Sequence, residues 1–209
     1  IELPEFEALK DIKRGFIRNL LIGPMVILIT ILLIAYTINI FQRRLEDMAI
    51  TDKLTGLYNR EHFDLSLTQA IKRFNRDERP FSLLMLDIDH FKPINDELGH
   101  LAGDAVIHGT ADIVRAASRE SDLICRWGGE EFIILASDCT AKDAQRLSDA
   151  IRDAIRAAKF FPDAPDRTVT VSVGVSEVRP GDDEIIMIGR ADQAMYTAKE
   201  KGRDRTETL

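Results

Sequence analysis

The stretch Arg126-Trp127-Gly128-Gly129-Glu130-Glu131-Phe132 leaves this chain few local choices. Apolar runs flank it, Asp122-Leu-Ile-Cys-Arg-Trp127 before and Phe132-Ile-Ile-Leu135 after, so two adjacent glycines are read as a two-residue hairpin loop. Positive φ is expected at both glycines, which take it without strain and also let another backbone or a phosphate come close. The hairpin presents two carboxylates at its tip. Alone, it is equally a solvated turn.

A second acidic feature decides between these readings. Phe81-Ser-Leu-Leu-Met-Leu-Asp-Ile-Asp89 reads as a strand buried on both sides that ends in two acids. Strand side chains alternate, so Asp87 and Asp89 face one way and Ile88 the other. Carboxylates projecting together need a cation or protons between them.

The remaining elements place these acids in a fold. Asp52-Lys-Leu-Thr-Gly-Leu-Tyr-Asn-Arg60 is a polar entrance turn in which Asp52 and Arg60 are expected to pair, and a helix is predicted from Arg60 to about Asn75. After Asp89 come a short helix from Phe91, a break at Gly99, and a helix capped by Asp104 that runs to about Ala117. Helices over Ala141–Ala158 and Glu184–Lys201 bracket a strand over Thr168–Ser176. From Asp87 onward the order is strand, helix, strand, strand, helix, strand, an α+β arrangement of the ferredoxin-like β-α-β-β-α-β kind. That topology sets the first strand beside the hairpin, so Asp87, Asp89, Glu130 and Glu131 can converge. Such a cluster suits Mg²⁺-assisted phosphoryl or nucleotidyl transfer. Lys92, with Lys199 and Arg203 on one face of the last helix, is the basic counterpart that would hold a triphosphate.

Composition excludes one alternative. The chain carries 28 basic and 35 acidic groups; residues 1–50 hold six of each, which leaves 22 against 29 afterwards, the opposite of a nucleic-acid-binding surplus. Cys125 and Cys139 form no metal or redox motif, and His62, His90, His100 and His108 lack ligand spacing. The cysteines are expected to pack, reduced, and the histidines to lie on the surface or in the core.

The N-terminal fifth is different in kind. The chain starts at Ile1 and is read as a piece of a longer protein, with residues 1–18 a remnant of its N-terminal region. No side chain from Asn19 to Gln42 is charged, and the apolar run would span roughly 30 Å as a helix, so a transmembrane helix is expected over 19–41. Basic residues on both sides give no orientation. Residues 42–50, with Phe41, Leu45 and Met48 at helical spacing, suit a linker helix that pairs with a second copy and leads into a domain over 51–209.

Four motifs agree in order and spacing with one family: Asp52-x-Leu-Thr-Gly-Leu-x-Asn-Arg60; Leu86-Asp-Ile-Asp-x-Phe-Lys-x-x-Asn-Asp-x-x-Gly-His100 with Gly103-Asp104; Arg126-x-Gly-Gly-Glu-Glu-Phe132; and Ala194-Met-Tyr-x-Ala-Lys-x-x-Gly-Arg203. Over about residues 50–205 the chain resembles the GGDEF family of diguanylate cyclases, in its Gly-Gly-Glu-Glu-Phe form. The resemblance implies a nucleotide-cyclase or polymerase-palm-like domain in which two GTP molecules, one per domain of a homodimer, condense to cyclic di-GMP with release of pyrophosphate. It implies Mg²⁺, two ions per site with Mn²⁺ as a substitute, held by Asp87, the carbonyl of Ile88 and Glu130, with Glu130 the base for the attacking hydroxyl and Glu131 beside it. Asn95 and Asp104 would read guanine, while Phe91, Lys92, Lys199 and Arg203 would bind the rest of the substrate and offset transition-state charge. ATP-accepting members have Ser where this chain has Asp104. Arg119-x-x-Asp122 stands at the spacing of the family's inhibitory product site, with Arg146, Arg152 and Arg156 as secondary phosphate contacts. Asp204 departs from the family's usual Asn. Location in the inner (cytoplasmic) membrane is expected, with one pass and the catalytic domain in the cytoplasm. The alternative is a catalytically silent cyclic di-GMP receptor.

Overall fold

The computed structural model describes residues 22, 24–38, 50–162, 164 and 166–209. Two compact units are distinguished, Ile1–Ala49 and Ile50–Leu209. In the first, residues 24–38 are helical and their apolar side chains are exposed. Among the described residues no helix is long and apolar enough to cross a membrane. Both ends of the span expected over 19–41, and residues 42–49 of the linker helix expected over 42–50, lie outside the described residues, while Ile50 is not helical.

The second unit is built on five strands: β1 (Phe81–Ile88), β2 (Leu123–Gly128), β3 (Glu131–Ser137), β4 (Val171–Glu177) and β5 (Thr206–Thr208). They lie in the order β2-β3-β1-β4-β5, antiparallel except for the parallel pair β4–β5. The five helices are α1 (Arg60–Asp77), α2 (Phe91–Leu98), α3 (His100–Ala117), α4 (Ala141–Ala157) and α5 (Glu184–Glu200). The expected split β-α-β unit is present, and β5 is an addition too short to carry a periodic signal.

Alternation along β1 divides the core in two. Leu84, Leu86 and Ile88 pack with Phe132 and Ile134 against Val106, Val114, Ile151 and Ile155 of α3 and α4. Leu83 and Met85 pack on the other face with Phe63 and Leu67 of α1 and Met187 and Met195 of α5. Each fully buried side chain of this size contributes roughly 1.5–3 kcal/mol. Asp87, being odd in this alternation, belongs to the α5 face. That helix lies so close to the sheet that a Cβ on Gly174 of β4 would collide with the Ala191 carbonyl and the Met195 nitrogen. Asn59, Thr140 and Asp183 cap α1, α4 and α5 through side-chain oxygens.

Three local expectations are corrected. Asp104 does not cap a helix: α3 already starts at His100, because Gly99 at φ 83° supplies the break. The hairpin turns at Gly129-Glu130 with only Gly129 at positive φ (51°), since a bulge between Arg126 and Gly128 takes up one residue. Asp52 pairs with Arg126, not with Arg60, whose guanidinium lies 4.0 Å over the Trp127 ring.

Candidate active site

Sheet register makes the acidic cluster. Asp87 and Glu131 are direct cross-strand partners of β1 and β3, an arrangement of like charges that disfavours the sheet. Glu130 sits at the turn beside them, and its carbonyl accepts from the Ile88 N–H at 3.4 Å. Burial raises the Asp87 carboxyl above its ordinary range, and Glu130 and Asp89 push the same way, more than Lys199 offsets. Burial likewise raises Glu131, with repulsion from Asp87, Asp192 and Glu130 adding to it. Negative charge is therefore crowded here beyond what the protein's own cation neutralises.

That cation is Lys199, whose Nζ lies 2.8 Å from Asp87 Oδ2. The expectation of Lys199 and Arg203 side by side on one helix face does not hold: α5 ends at Glu200, and Arg203 follows Gly202 in a left-handed turn. Lys92 and Arg203 are exposed and, among the described residues, have no ion-pair partner. They are the cations open to an anionic ligand.

Asp89 has a different job from Asp87. It is 4% exposed and accepts from Thr170 Oγ1 and Ser172 Oγ, both at 2.7 Å, and from the Asp204 N–H at 3.1 Å. Every one of these bonds satisfies a buried carboxylate, so Asp89 is a structural tie. His90 beside it adopts φ 55°, unusual for a residue with a side chain.

The Asn95 amide packs against Gly103, the residue before Asp104. A Cβ at Gly103 would overlap the Asn95 amide oxygen and stand 3.1 Å from the Phe91 ring, so glycine lets α2 and α3 close on each other. Phe91 is buried in the core, which leaves its main chain as the part able to meet a ligand. Asp104 is exposed and, among the described residues, has no side-chain partner. An amide on α2 and an exposed carboxylate on α3 suit a base edge with adjacent donors.

Arg119 and Asp122 are not a side-chain ion pair. Asp122 accepts from the main-chain N–H groups of Arg119 at 2.9 Å and Ser137 at 3.3 Å, which leaves the Arg119 guanidinium outward. Arg119 borders two cavities, one of about 370 Å³ that reaches Thr51, Gly56 and Tyr58, and one of about 280 Å³ shared with Arg146. Arg152 and Arg156 do not join them. Both are turned to Asp204, with Arg156 at 2.6 Å and Arg152 at 3.4 Å. Arg146 pairs with Asp143 at 3.0 Å on the exposed surface of α4, so Arg119, with Arg146 across the smaller cavity, is the basic group left open on this side.

Among the described residues, no three acid, His or Cys side chains form a ready metal cage. The expected donor set needs only two carboxylates, Asp87 and Glu130, and a main-chain oxygen; crowded acids with a raised carboxyl fit a divalent cation. Burial raises the thiols, Cys125 to about 12 and Cys139 to about 11, so both are inert packing groups. Sequence reasoning missed two features: the Asp204 cluster, and Arg126, which bonds Asp52 at 3.2 Å and the Gly129 carbonyl at 2.8 Å. Only the adjacency of Arg126 to the glycines hinted at the second.

The family model for "Diguanylate cyclase, GGDEF domain" matches residues 49–205. A diguanylate cyclase of Pseudomonas aeruginosa, DgcP, is 41% identical over 170 residues, covering 80% of this chain and 25% of that protein. The chain thus spans about a quarter of that relative's length. The GGDEF domain of DgcB from Caulobacter crescentus, solved in complex with c-di-GMP, superposes with a TM-score of 0.73 at 33% identity, over 77% of this chain and 95% of that one. Diguanylate cyclase SiaD of Pseudomonas aeruginosa, solved with its activator SiaC, gives 0.74 at 32% identity, over 100% of this chain and 85% of that one.

Proposed function

The chain belongs to the GGDEF family of diguanylate cyclases, and on that premise we propose that it condenses two GTP molecules to cyclic di-GMP, with release of pyrophosphate, across a homodimer. The observation that carries the reading is the direct opposition of Asp87 and Glu131 with their carboxyls raised, at the turn that bears Glu130. An arrangement that costs stability and gathers perturbed acids is the usual mark of a site kept for chemistry. A silent receptor would have no use for it.

Asp87, the Ile88 carbonyl and Glu130 would hold Mg²⁺, with Mn²⁺ as substitute. When bound, the cation supplies charge to the phosphate oxygens and lowers the pKa of a hydroxyl. The residues do the rest. Asn95 and Asp104 orient guanine, the carboxylate accepting from its adjacent N–H groups. Lys92 and Arg203 bind phosphates and oppose the charge that grows in the transition state. Glu130 takes the proton of the attacking 3′-hydroxyl. Lys199 neutralises Asp87 and would turn to phosphate once the substrate is bound.

One domain holds one GTP, so two must face each other for a bond to form. Product would bind at Arg119, whose outward guanidinium suits a phosphate, with Arg146 as a second contact. The exposed apolar side chains of residues 24–38 support anchoring through 19–41 in the inner membrane, with the domain cytoplasmic, where GTP is found.

Purified protein, shown to be dimeric, should convert GTP with Mg²⁺ to a cyclic dinucleotide resolved by chromatography. A dimeric sample that binds cyclic di-GMP but makes none turns the assignment to the receptor.

A further inference from the structure

The C-terminal end of α5 is tied to the end of β1 at two points. Lys199 bonds Asp87 at 2.8 Å, and the Asp204 N–H donates to Asp89 at 3.1 Å. The link between these ties is strained: Gly202, Arg203 and Asp204 have φ of 109°, 64° and 45°. Left-handed backbone costs a residue with a side chain on the order of 1 kcal/mol or more, so two in succession persist only where the surroundings dictate them.

Asp89 is satisfied by Thr170, Ser172 and Asp204. The Asp204 carboxylate meets Arg156 through Nε at 3.0 Å and Nη2 at 2.6 Å, while Arg152 Nη2 donates to the Asp204 carbonyl at 2.6 Å and to its side chain at 3.4 Å. Arg152 and Arg156 also pair with Asp149 and Asp153 on their own helix, which fixes where they point. The turn is therefore gripped through both the main chain and the side chain of Asp204. Arg203, just before it, carries a free, exposed guanidinium.

We infer that Asp204 is a positioning residue: held by Arg152 and Arg156 of α4, it locks the turn that presents Arg203 to the substrate phosphates. This rests on the reading of Arg203 as a phosphate ligand. A bare carboxylate one residue from that arginine would repel a triphosphate. Two guanidiniums neutralise it, so the acid contributes a charge-assisted grip with two acceptor oxygens where an amide has one. The side chains are partly exposed, 31% for Asp204 and 39% for Arg156, so little global stability is at stake. Geometry is what the clamp controls.

Steady-state kinetics on the full chain, with equilibrium binding of a non-hydrolysable GTP analogue, tests this. Asp204→Ala should raise KM and weaken analogue binding about tenfold, and should lower kcat as well, because Arg203 also opposes charge in the transition state. Asp204→Asn, which keeps one acceptor, should fall between, and covers the case in which the alanine variant folds poorly. Arg156→Ala should repeat the KM effect, and adding it to Asp204→Ala should cost no more. If Arg203→Ala raises KM while Asp204→Ala and Asp204→Asn do not, or if these lower only the melting temperature, the positioning role is overturned. If Arg203→Ala leaves KM unchanged in an active enzyme, the phosphate assignment itself fails, and the inference with it.

Discussion

Asp52, at the entrance of the domain, and Asp87, at the end of β1, are the same side chain placed in opposite electrostatic settings. Burial works to raise both. At Asp52 it is outweighed by hydrogen bonds from Thr55 Oγ1 and N and by the charge and bonds of Arg126, and the carboxyl drops below its ordinary range. At Asp87 burial prevails, with Glu130 and Asp89 adding to it against Lys199 alone. The entrance spends its charges on holding a turn, whereas the acidic end keeps its charges unsettled. Arg126 touches both regions, since it bonds Asp52 and the Gly129 carbonyl.

The contrast breaks if removing an acid from the unsettled end spares the chemistry. Glu130→Gln should lower turnover about 10²–10⁴-fold with circular dichroism unchanged; retained turnover removes Glu130 from the mechanism. Arg119→Ala is the next largest effect, since a charge-assisted bond to phosphate is lost. Inhibition by cyclic di-GMP should weaken about 10- to 100-fold, and an unaltered inhibition curve would reject that site.

Stability sharpens the comparison. Asp52→Asn should destabilise by about 1–3 kcal/mol in denaturant titrations, because Arg126 and Thr55 lose a charged partner. Asp87→Asn should leave the midpoint unchanged or raise it, since it relieves repulsion with Glu131. A shared direction for the two variants would show that the regions are not opposed.

The smallest effect is in pH. The folded pKa of Asp52 lies below 3.8, so its contribution is complete above that value and is lost as pH falls through the folded pKa. Asp87 and Glu131 lie above 3.8 and 4.5, so the fold penalises their ionised forms above their raised values, and the penalty fades as pH falls through them. Mild acid should therefore stabilise the acidic end before stronger acid loosens the entrance. Denaturation curves of Asp87→Asn/Glu131→Gln at stepped pH should lack the initial gain.

Much of the fold was legible because its signals are local. The continuous apolar run of Phe81–Ile88, helical spacing in Ala141–Ala157 and paired glycines before acids each lie within a few residues. Small displacements had local causes too, such as Gly99 starting α3 early and the bulge that shifts the turn to Gly129-Glu130. β5 escaped because three residues carry no period.

By itself, the sequence determined the order of the elements and gathered Asp87, Glu130 and Glu131 at one end of a sheet, because alternation and turn chemistry are written into neighbouring positions. Only the tertiary structure decided which charge each acid meets. Asp52 faces Arg126 instead of Arg60, Asp87 holds Lys199, and Asp204 draws Arg152 and Arg156 away from Arg119. Ion pairs join residues far apart in the chain and depend on distances of a few ångströms, which no spacing along the sequence specifies.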